Sequence, residues 1–262
     1  MNYKIIATDF DGTLLTSNKR VTEKTKKTLL KLKNNQYTIA GVTARNLSSV
    51  KKVCDINMFD YLILNNGCYL YDVEKAQGNY IRSISEEIIT KITNYFKKIS
   101  LGIDYISSDK YYMYRKNGRT DFRDFVVEVD DNSQIHDKIS RMNIIAQNEE
   151  EALDYKKYIE DNFNEVDCIV MQDTDTKKDN KWIAINPKNQ NKYTTLELLC
   201  DNLKVSTDEA IFFGDSTNNI EIIENVGLRV AMGNALKKVK AKAKTVTLSN
   251  DEDGVAVFLE NM

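Results

Sequence analysis

The sequence has 262 residues, of which 42% are hydrophobic, so the chain can form one large domain or two modest ones around a sizeable core. Lysine and arginine number 37 against 39 aspartate and glutamate, and the net charge of -2 argues against a nucleic-acid binder that depends on bulk positive charge. The single histidine, His136, excludes a multi-histidine zinc site and leaves carboxylates as the groups for acid–base chemistry at neutral pH.

The N-terminal segment predicts alternating strands and helices. Apolar, β-branched runs at residues 4–8, 37–42 and 61–64 predict three buried strands. Thr22 can cap a helix that follows the first strand, and Asn46 can cap another that follows the second. This β-α-β-α-β order with apolar strands predicts a parallel sheet that is covered on both faces.

The pattern changes after residue 82. Ser85 can cap an amphipathic helix, and a second helix, rich in glutamate at its start, is predicted near residues 149–163. Strands are predicted at residues 103–107, 111–114, 125–129, 166–171 and 182–186. The last two resemble a hairpin around a polar turn at residues 173–180. Because sheet and helices alternate differently here, this stretch predicts a separate α+β unit.

The α/β alternation returns at Lys192. Helices are predicted from residue 192, at 220–226 and 236–243, and from residue 252, with strands at 210–213, 228–232 and 245–248. The fold class predicted is therefore α/β, with a Rossmann-like parallel-sheet core from residues 1–82 and 184–262 and an α+β domain inserted at residues 83–183.

Polar residues follow four of the predicted core strands. They are Asp9 and Asp11, Thr43, Asn66 with Gly67, and Asp215. Ligands of open α/β sheets bind beyond the carboxyl ends of the strands. If these strands are neighbours, three carboxylates meet in one cleft, and a divalent cation is their natural counter-ion. Oxygen ligands favour magnesium over zinc.

Such a group of residues suits phosphoryl transfer. An aspartate is ionised at pH 7, because its unperturbed pKa is about 3.9, and it can attack phosphorus without a histidine to activate it. A metal ion reduces the repulsion between this carboxylate and the phosphate. A hydroxyl, backbone amides and a lysine can hold the phosphoryl oxygens. A second aspartate would need a raised pKa to donate a proton to the leaving group.

Short motifs follow several of the predicted strands. In chain order they are D-F-D-G-T-L, V-T-A-R, N-N-G-C, I-N-P-K-N-Q-N-K-Y, F-F-G-D-S-T-N-N-I-E, A-M-G-N-A and S-N-D-E-D-G-V-A. This ordered set resembles the signatures of the haloacid dehalogenase (HAD) superfamily, in its Cof-type branch, subfamily IIB. The resemblance spans both core segments and implies that the inserted α+β domain is a cap that determines substrate specificity.

The resemblance also implies a role for each matching position. Asp9 would be the nucleophile that forms an aspartyl-phosphate, and Asp11 the general acid and then the base that activates water. Magnesium would be bound by Asp9, Asp215 and the backbone carbonyl of Asp11. The phosphate-binding residues implied are Thr43, Ala44, Lys192 and Asn218, and the supporting residues are Asn66, Gly67 and Asn219.

Two of these positions depart from the family pattern. Ala44 stands where glycine is usual in the second motif, which is a small change in a phosphate-facing loop. Asn219 stands where aspartate is usual in the fourth motif. Because that aspartate normally supports the metal, Asn219 removes one negative charge, and we expect a weaker affinity for magnesium.

The function implied is a Mg²⁺-dependent phosphatase acting on a small phosphorylated metabolite, such as a sugar phosphate, a nucleotide or a cofactor phosphate. Two alternatives stay open. One is a phosphotransferase or phosphomutase-like enzyme that passes the phosphoryl group to a second substrate. The other is a non-catalytic, metabolite-binding regulator with a weakened metal site. Arg45 is interpreted as structural or as an ion-pair partner.

The sequence also favours one cellular compartment. The four cysteines lack the spacing of a metal site, and the N-terminus lacks the features of a signal peptide. No apolar run approaches the roughly 18 residues needed to span a bilayer. We therefore expect a cytoplasmic protein with reduced thiols and with neither a membrane nor a nucleic-acid partner.

Overall fold

The computed structural model describes residues 3–115, 123–172 and 180–262. Its strands are β1 (Ile5–Asp9), β2 (Thr38–Val42), β3 (Tyr61–Leu64), β4 (Tyr69–Asp72), β5 (Gln77–Tyr80), β6 (Gly102–Ile106), β7 (Tyr111–Arg115), β8 (Val126–Val129), β9 (Arg141–Ala146), β10 (Val166–Gln172), β11 (Lys181–Pro187), β12 (Ala210–Gly214), β13 (Leu228–Ala231) and β14 (Thr245–Val246). Its α-helices are α1 (Glu23–Asn34), α2 (Leu47–Val53), α3 (Glu86–Phe96), α4 (Glu149–Asn162), α5 (Lys192–Leu203), α6 (Ile220–Asn225), α7 (Lys237–Lys240) and α8 (Gly254–Glu260).

The chain forms two compact units, of which the first contains residues 1–81 and 191–262. Its sheet has the strand order β14-β13-β12-β1-β2-β3-β4-β5, in which β4 and β5 are antiparallel to their neighbours. The other strands are parallel, with β1 between β12 and β2. Strand β1 is fully buried, which fits its apolar sequence. The predicted α/β fold class with a parallel sheet is confirmed.

Local capping fixes the helices where the sequence predicts them. The Thr22 side chain accepts a hydrogen bond from the backbone N–H of Thr25 at the start of α1. Asn46 accepts from Ser49 N at the start of α2. These caps satisfy backbone donors that have no partner within a helix, so each helix begins directly after its capping residue.

The second unit contains residues 82–190 and has its own sheet, in the order β10-β11-β9-β6-β7-β8. Helices α3 and α4 share one apolar core with this sheet. Ile92 of α3, Ile159 of α4 and Ile144 of β9 are all completely buried in it. The buried Tyr105 hydroxyl lies 2.8 Å from Thr93 Oγ1, so its polar end is hydrogen-bonded. The unit is thus an α+β fold with its own core.

Three features differ from the sequence-based expectation. The β4–β5 hairpin and strand β9 were not predicted. The chain returns to the first unit at Asn191 rather than at residue 184, because β11 pairs with both β10 and β9 and so belongs to the second sheet. The predicted hairpin of β10 and β11 is present, and its turn at residues 173–179 lies outside the described residues.

Candidate active site

The strand order of the first sheet brings the predicted site residues to one edge. Because β12, β1, β2 and β3 are parallel neighbours, their carboxyl ends lie side by side. Asp9 is the last residue of β1, Thr43 follows β2, and Asp215 follows β12. A hydrogen bond of 3.1 Å from Thr13 Oγ1 to Asp215 Oδ1 joins the loops after β1 and β12.

A buried ion pair stands at the end of β1. Lys192 Nζ lies 3.0 Å from Asp9 Oδ1, and the two residues are 2% and 4% exposed. Lys192 is the first residue of α5, whose start is fixed by reciprocal hydrogen bonds between Asn191 and Thr194. The backbone N–H of Phe10 donates to the same Asp9 oxygen at 2.7 Å. The carboxylate is therefore held by a charge and a backbone donor, both on Oδ1.

The pKa of Asp215 is affected by the neighbouring carboxylate of Asp9. Burial and the charge of Asp9 raise its pKa to about 6, although the hydrogen bond from Thr13 and the charge of Lys192 act in the opposite direction. A bound cation would relieve this repulsion. The predicted donors are the carboxylates of Asp9 and Asp215 and the carbonyl of Asp11, and oxygen donors suit magnesium rather than zinc. The residues present therefore fit a divalent cation at this position.

Asp11 does not join this carboxylate pair. Arg45 Nε and Nη2 donate to its two oxygens at 2.7 and 2.8 Å, and Lys19 Nζ lies 2.8 Å from Oδ1. Burial acts to raise its pKa, but the hydrogen bonds from Arg45 and Lys19 outweigh that effect and lower the pKa to about 2. Asp11 is therefore a carboxylate in this arrangement, the opposite of what proton donation requires.

The expected cleft of three carboxylate side chains is accordingly wrong. Within residues 3–115, 123–172 and 180–262, no group of three His, Cys, Asp or Glu side chains is placed to hold a metal ion. The Asp11 side chain is instead paired with Arg45 and Lys19. The predicted side-chain ligands are then Asp9 and Asp215, and the backbone carbonyl of Asp11 is the third predicted ligand.

The loop after β2 carries two of the predicted phosphate-binding residues, Thr43 and Ala44. Thr43 is buried, and its Oγ1 accepts a hydrogen bond from Arg45 N at 3.1 Å. The turn after β3 supports this loop, because Asn66 N donates to the carbonyl of Thr43 at 3.1 Å. Asn66 and Gly67 both have left-handed backbone conformations, and the Gly67 carbonyl accepts from Thr195 of α5.

Asn219 orders the loop that carries Asp215. It is 0% exposed, and its Oδ1 accepts hydrogen bonds from the backbone N–H groups of Asp215 and Ser216 at 3.2 and 3.1 Å. Asn218, in contrast, is exposed, and its Oδ1 accepts from Ser216 Oγ. Asn219 therefore acts on the loop through its oxygen, while Asn218 lies at the surface beside it.

Asn234 and Asn250 hold the loop after Asp9 in place, and no role was predicted for either from the sequence. Asn234 Nδ2 donates to the carbonyl of Gly12 at 2.8 Å, and Asn250 Nδ2 donates to that of Leu15 at 2.9 Å. The two are linked, since Asn250 N donates to Asn234 Oδ1. Both lie in the motifs A-M-G-N-A and S-N-D-E-D-G-V-A, which is the signal that could have identified them.

Gly12, in the loop after β1, lies close to Asp215, in the loop after β12. Its φ is +74°, and a Cβ at this position would lie 2.3 Å from Asp215 Oδ2. We expect Gly12→Ala to lower the free energy of unfolding by about 1–3 kcal/mol and to displace Asp215, reducing kcat by at least about tenfold. Thermal unfolding and phosphate-release assays measure the two effects.

Gly78→Ala is the matched control for this substitution. A Cβ at Gly78 would also meet a neighbour, the ring of Tyr69 at 2.4 Å, but this contact lies in the β4–β5 hairpin. We expect Gly78→Ala to lower stability without changing kcat of the folded fraction. An equal loss of kcat in both variants would refute the proposed link between Gly12 and Asp215.

Among the described residues, no helix has the length and apolar character needed to cross a membrane. The single histidine, His136, lines a recess of the second unit together with Asp131 and Asp137. It belongs to a different unit from the Asp9–Lys192 pair.

Comparison with known proteins extends over nearly the whole chain. A family model described as haloacid dehalogenase-like hydrolase matches residues 6–259. The 5-amino-6-(5-phospho-D-ribitylamino)uracil phosphatase YitU of Bacillus subtilis is 26% identical over 264 residues, covering 98% of this chain and 96% of that protein. TM0651 of Thermotoga maritima superposes with a TM-score of 0.83 at 26% identity, covering 99% and 97% of the two chains. A HAD subclass IIB sugar phosphatase shares the fold at 20% identity, with a TM-score of 0.77 over 98% of each chain.

Proposed function

This chain belongs to the haloacid dehalogenase-like hydrolases, and we propose that it is a magnesium-dependent phosphatase of a small phosphorylated metabolite. The observation that carries the proposal is the buried contact between Lys192 and Asp9, next to Asp215. A nucleophilic carboxylate needs no histidine to activate it. This agrees with the sequence, whose single histidine, His136, lies in the second unit.

The proposed first step is attack by Asp9 on phosphorus. Lys192 and Phe10 N both donate to Oδ1, which leaves Oδ2 as the attacking oxygen. An Oδ2–P bond forms and the bond from phosphorus to the leaving-group oxygen breaks, giving an aspartyl-phosphate. Thr43, Lys192 and Asn218 are proposed to hold the phosphoryl oxygens. Magnesium, held by Asp9, Asp215 and the Asp11 carbonyl, would offset the negative charge gathered there.

Asp11 is proposed to carry the proton in both steps. It would give a proton to the leaving-group oxygen and then take one from the water that attacks the aspartyl-phosphate. As the oxygen of that water bonds to phosphorus, the P–Oδ2 bond breaks, which releases inorganic phosphate and restores the Asp9 carboxylate. With Arg45 and Lys19 bound, its pKa of about 2 keeps it ionised, so protonation requires that these contacts loosen first. Arg45 and Lys19 thus control when Asp11 can act.

The substrate class is proposed from the site and the relatives together. The Bacillus subtilis relative is named for a phosphorylated ribitylamino-uracil, and the subclass IIB neighbour for a sugar phosphate. For this chain we propose a phosphomonoester of a sugar, a nucleotide or a cofactor. We assign the selection of the leaving group to the second unit, residues 82–190, as a cap.

A broad screen of phosphorylated metabolites, with magnesium and with a chelator, tests this function. We expect phosphate release that requires the added cation. Equal turnover in the chelator would contradict the metal requirement. Phosphorylation of an added acceptor in place of phosphate release would indicate a phosphotransferase. Tight binding of a metabolite with no turnover of any compound would indicate a regulator.

A further inference from the structure

A tight turn in the loop after β1 carries Lys19, whose side chain contacts Asp11. The backbone N–H of Lys19 donates to the carbonyl of Thr16 at 2.8 Å, and Thr16 N donates to the carbonyl of Arg20 at 3.0 Å. Lys19 has a left-handed backbone conformation, with a φ of +57°. These contacts close residues 16–20 into a turn, so the Lys19 side chain leaves the backbone from a defined position.

The C-terminal motif S-N-D-E-D-G-V-A holds this turn in place. Asp251, in that motif, accepts hydrogen bonds from the backbone N–H and the hydroxyl of Ser17, at 2.7 and 2.6 Å. Because Ser17 and Asp251 are 234 positions apart in the chain, the turn is held by a tertiary contact as well as by its own hydrogen bonds. Asp251 is therefore a positioning residue for Lys19.

The two cations that contact Asp11 differ in how firmly they are held. Arg45 donates through Nε and Nη2 to both oxygens of Asp11 and through Nη1 to Ser49 Oγ at 2.9 Å. This guanidinium cannot leave without breaking all of these hydrogen bonds. Lys19, by contrast, reaches Asp11 with a side chain that is 58% exposed, and an exposed ion pair of this kind contributes little to stability. Lys19 can therefore leave Asp11 while Arg45 keeps that carboxylate paired.

The contact with Asp11 brings Lys19 close to the leaving group of the proposed reaction. In that reaction Asp11 gives a proton to the leaving-group oxygen, which requires a separation of about 2.6–3.2 Å. Lys19 Nζ lies 2.8 Å from the same carboxyl group, at the end of a long and flexible side chain. An anionic group a few bonds from the leaving-group oxygen is then within its reach. A hydroxyl at the same place is a weaker partner, because hydrogen bonds between charged groups are stronger than those to neutral groups.

We propose that Lys19 leaves Asp11 when the substrate binds and pairs with a second anionic group on the leaving group. The substrate class is then a phosphomonoester whose leaving group carries a carboxylate or a second phosphate near the ester oxygen, rather than a neutral sugar or polyol. The inference rests on the proposed phosphatase function, because it takes Asp11 as the group that contacts the leaving group. Lys19 thus adds a contact from the first unit to the selection of the substrate.

Calorimetric binding to the Asp9→Asn protein, which lacks the proposed nucleophile, tests this preference without turnover. Three ligands are titrated with Mg²⁺ present: glycerol 3-phosphate has a neutral leaving group, 3-phosphoglycerate has one with a carboxylate, and glycerol 2,3-bisphosphate has one with a second phosphate. We expect at least one of the two anionic ligands to bind about tenfold more tightly than glycerol 3-phosphate, and the tighter one identifies the anion. Equal affinity for all three ligands, within about twofold, would overturn the proposal.

Substitution of Lys19 in the Asp9→Asn protein shows whether this residue supplies the preference. Lys19→Met should remove the advantage of the anionic ligand over glycerol 3-phosphate, while Lys19→Arg keeps the charge and should retain most of that advantage. Lys26→Met is the control, because Lys26 pairs with Asp55 in the same unit, and it should leave the affinity ratio unchanged. A ratio that is unchanged in Lys19→Met, or that falls equally in Lys26→Met, would overturn the proposal.

Asp251→Ala, in the same background, tests the positioning of Lys19 without changing that residue. Loss of both hydrogen bonds to Ser17 should reduce the affinity ratio part of the way toward its value in Lys19→Met. Asp55→Ala is the matched control, because Asp55 also accepts hydrogen bonds from a backbone N–H and a side chain, and it should leave the ratio unchanged. An unchanged ratio in Asp251→Ala would overturn the positioning role. Failure of the phosphatase function appears separately, as an absence of turnover in the metabolite screen, because the binding ratio needs no catalysis.

Discussion

Replacing Asp9 with asparagine should abolish phosphate release, lowering kcat by about 10⁴-fold or more. The amide has nearly the same shape as the carboxylate but is not a nucleophile, so no covalent intermediate can form. Its oxygen can still accept the hydrogen bonds from Lys192 and Phe10 N. Because Asp215 remains as a nearby counter-charge for Lys192, we expect the fold to persist.

Steady-state phosphate release measures this effect, and circular dichroism with thermal unfolding verifies the fold. Asp72→Asn is the matched control, because Asp72 pairs with Lys75 in the same unit but away from the carboxyl ends of the parallel strands. It should leave kcat unchanged. Turnover by Asp9→Asn at more than a few per cent of the wild-type rate would exclude Asp9 as the nucleophile.

Much of the fold could be predicted, because local signals mark its elements. The short apolar runs of β1, β2 and β3 and the caps at Thr22 and Asn46 each depend on neighbouring residues alone. The β4–β5 hairpin was missed because its strands are only partly buried and their sequences mix polar and aromatic residues. Its stability depends on pairing with β3, which a local pattern does not reveal.

In the candidate site, too, the positions of residues at strand ends could be predicted, but the pairing of their side chains could not. Asp9, Thr43 and Asp215 could be placed at one edge because each directly follows or ends a strand of a parallel sheet. Arg45 also follows β2 and was interpreted as structural or as an ion-pair partner, but its position alone did not identify Asp11 as the group that it contacts, and Lys19 lies on a loop. Three clustered carboxylates were expected because three acids follow neighbouring strands. That expectation did not include the pairing of Arg45 and Lys19 with Asp11.

Removing the Lys192 ammonium should impair both catalysis and stability. In Lys192→Met the cation that holds Asp9 Oδ1 is lost, and we expect kcat to fall by about 10²–10³-fold. Buried Asp9 and partly buried Asp215 then lie together without their cation. Breaking a buried pair by removing one partner costs about 3–5 kcal/mol, so the free energy of unfolding at neutral pH should fall by a similar amount.

The pH dependence of this loss distinguishes electrostatics from packing. The charge of Lys192 lowers the pKa of Asp215, so its removal should raise that pKa above its present value of about 6. A carboxyl group whose pKa is higher in the folded state than in the unfolded state binds protons preferentially when folded, and stability then rises as the pH falls. Lys192→Met should therefore recover much of its stability when the pH is lowered from 8 toward the pKa of Asp215.

Denaturant unfolding at several pH values measures this recovery of stability, with Lys75→Met as the control that should show no such recovery. A loss that stays constant across this range would mean that the lysine stabilises the core through the packing of its methylene chain rather than through its charge.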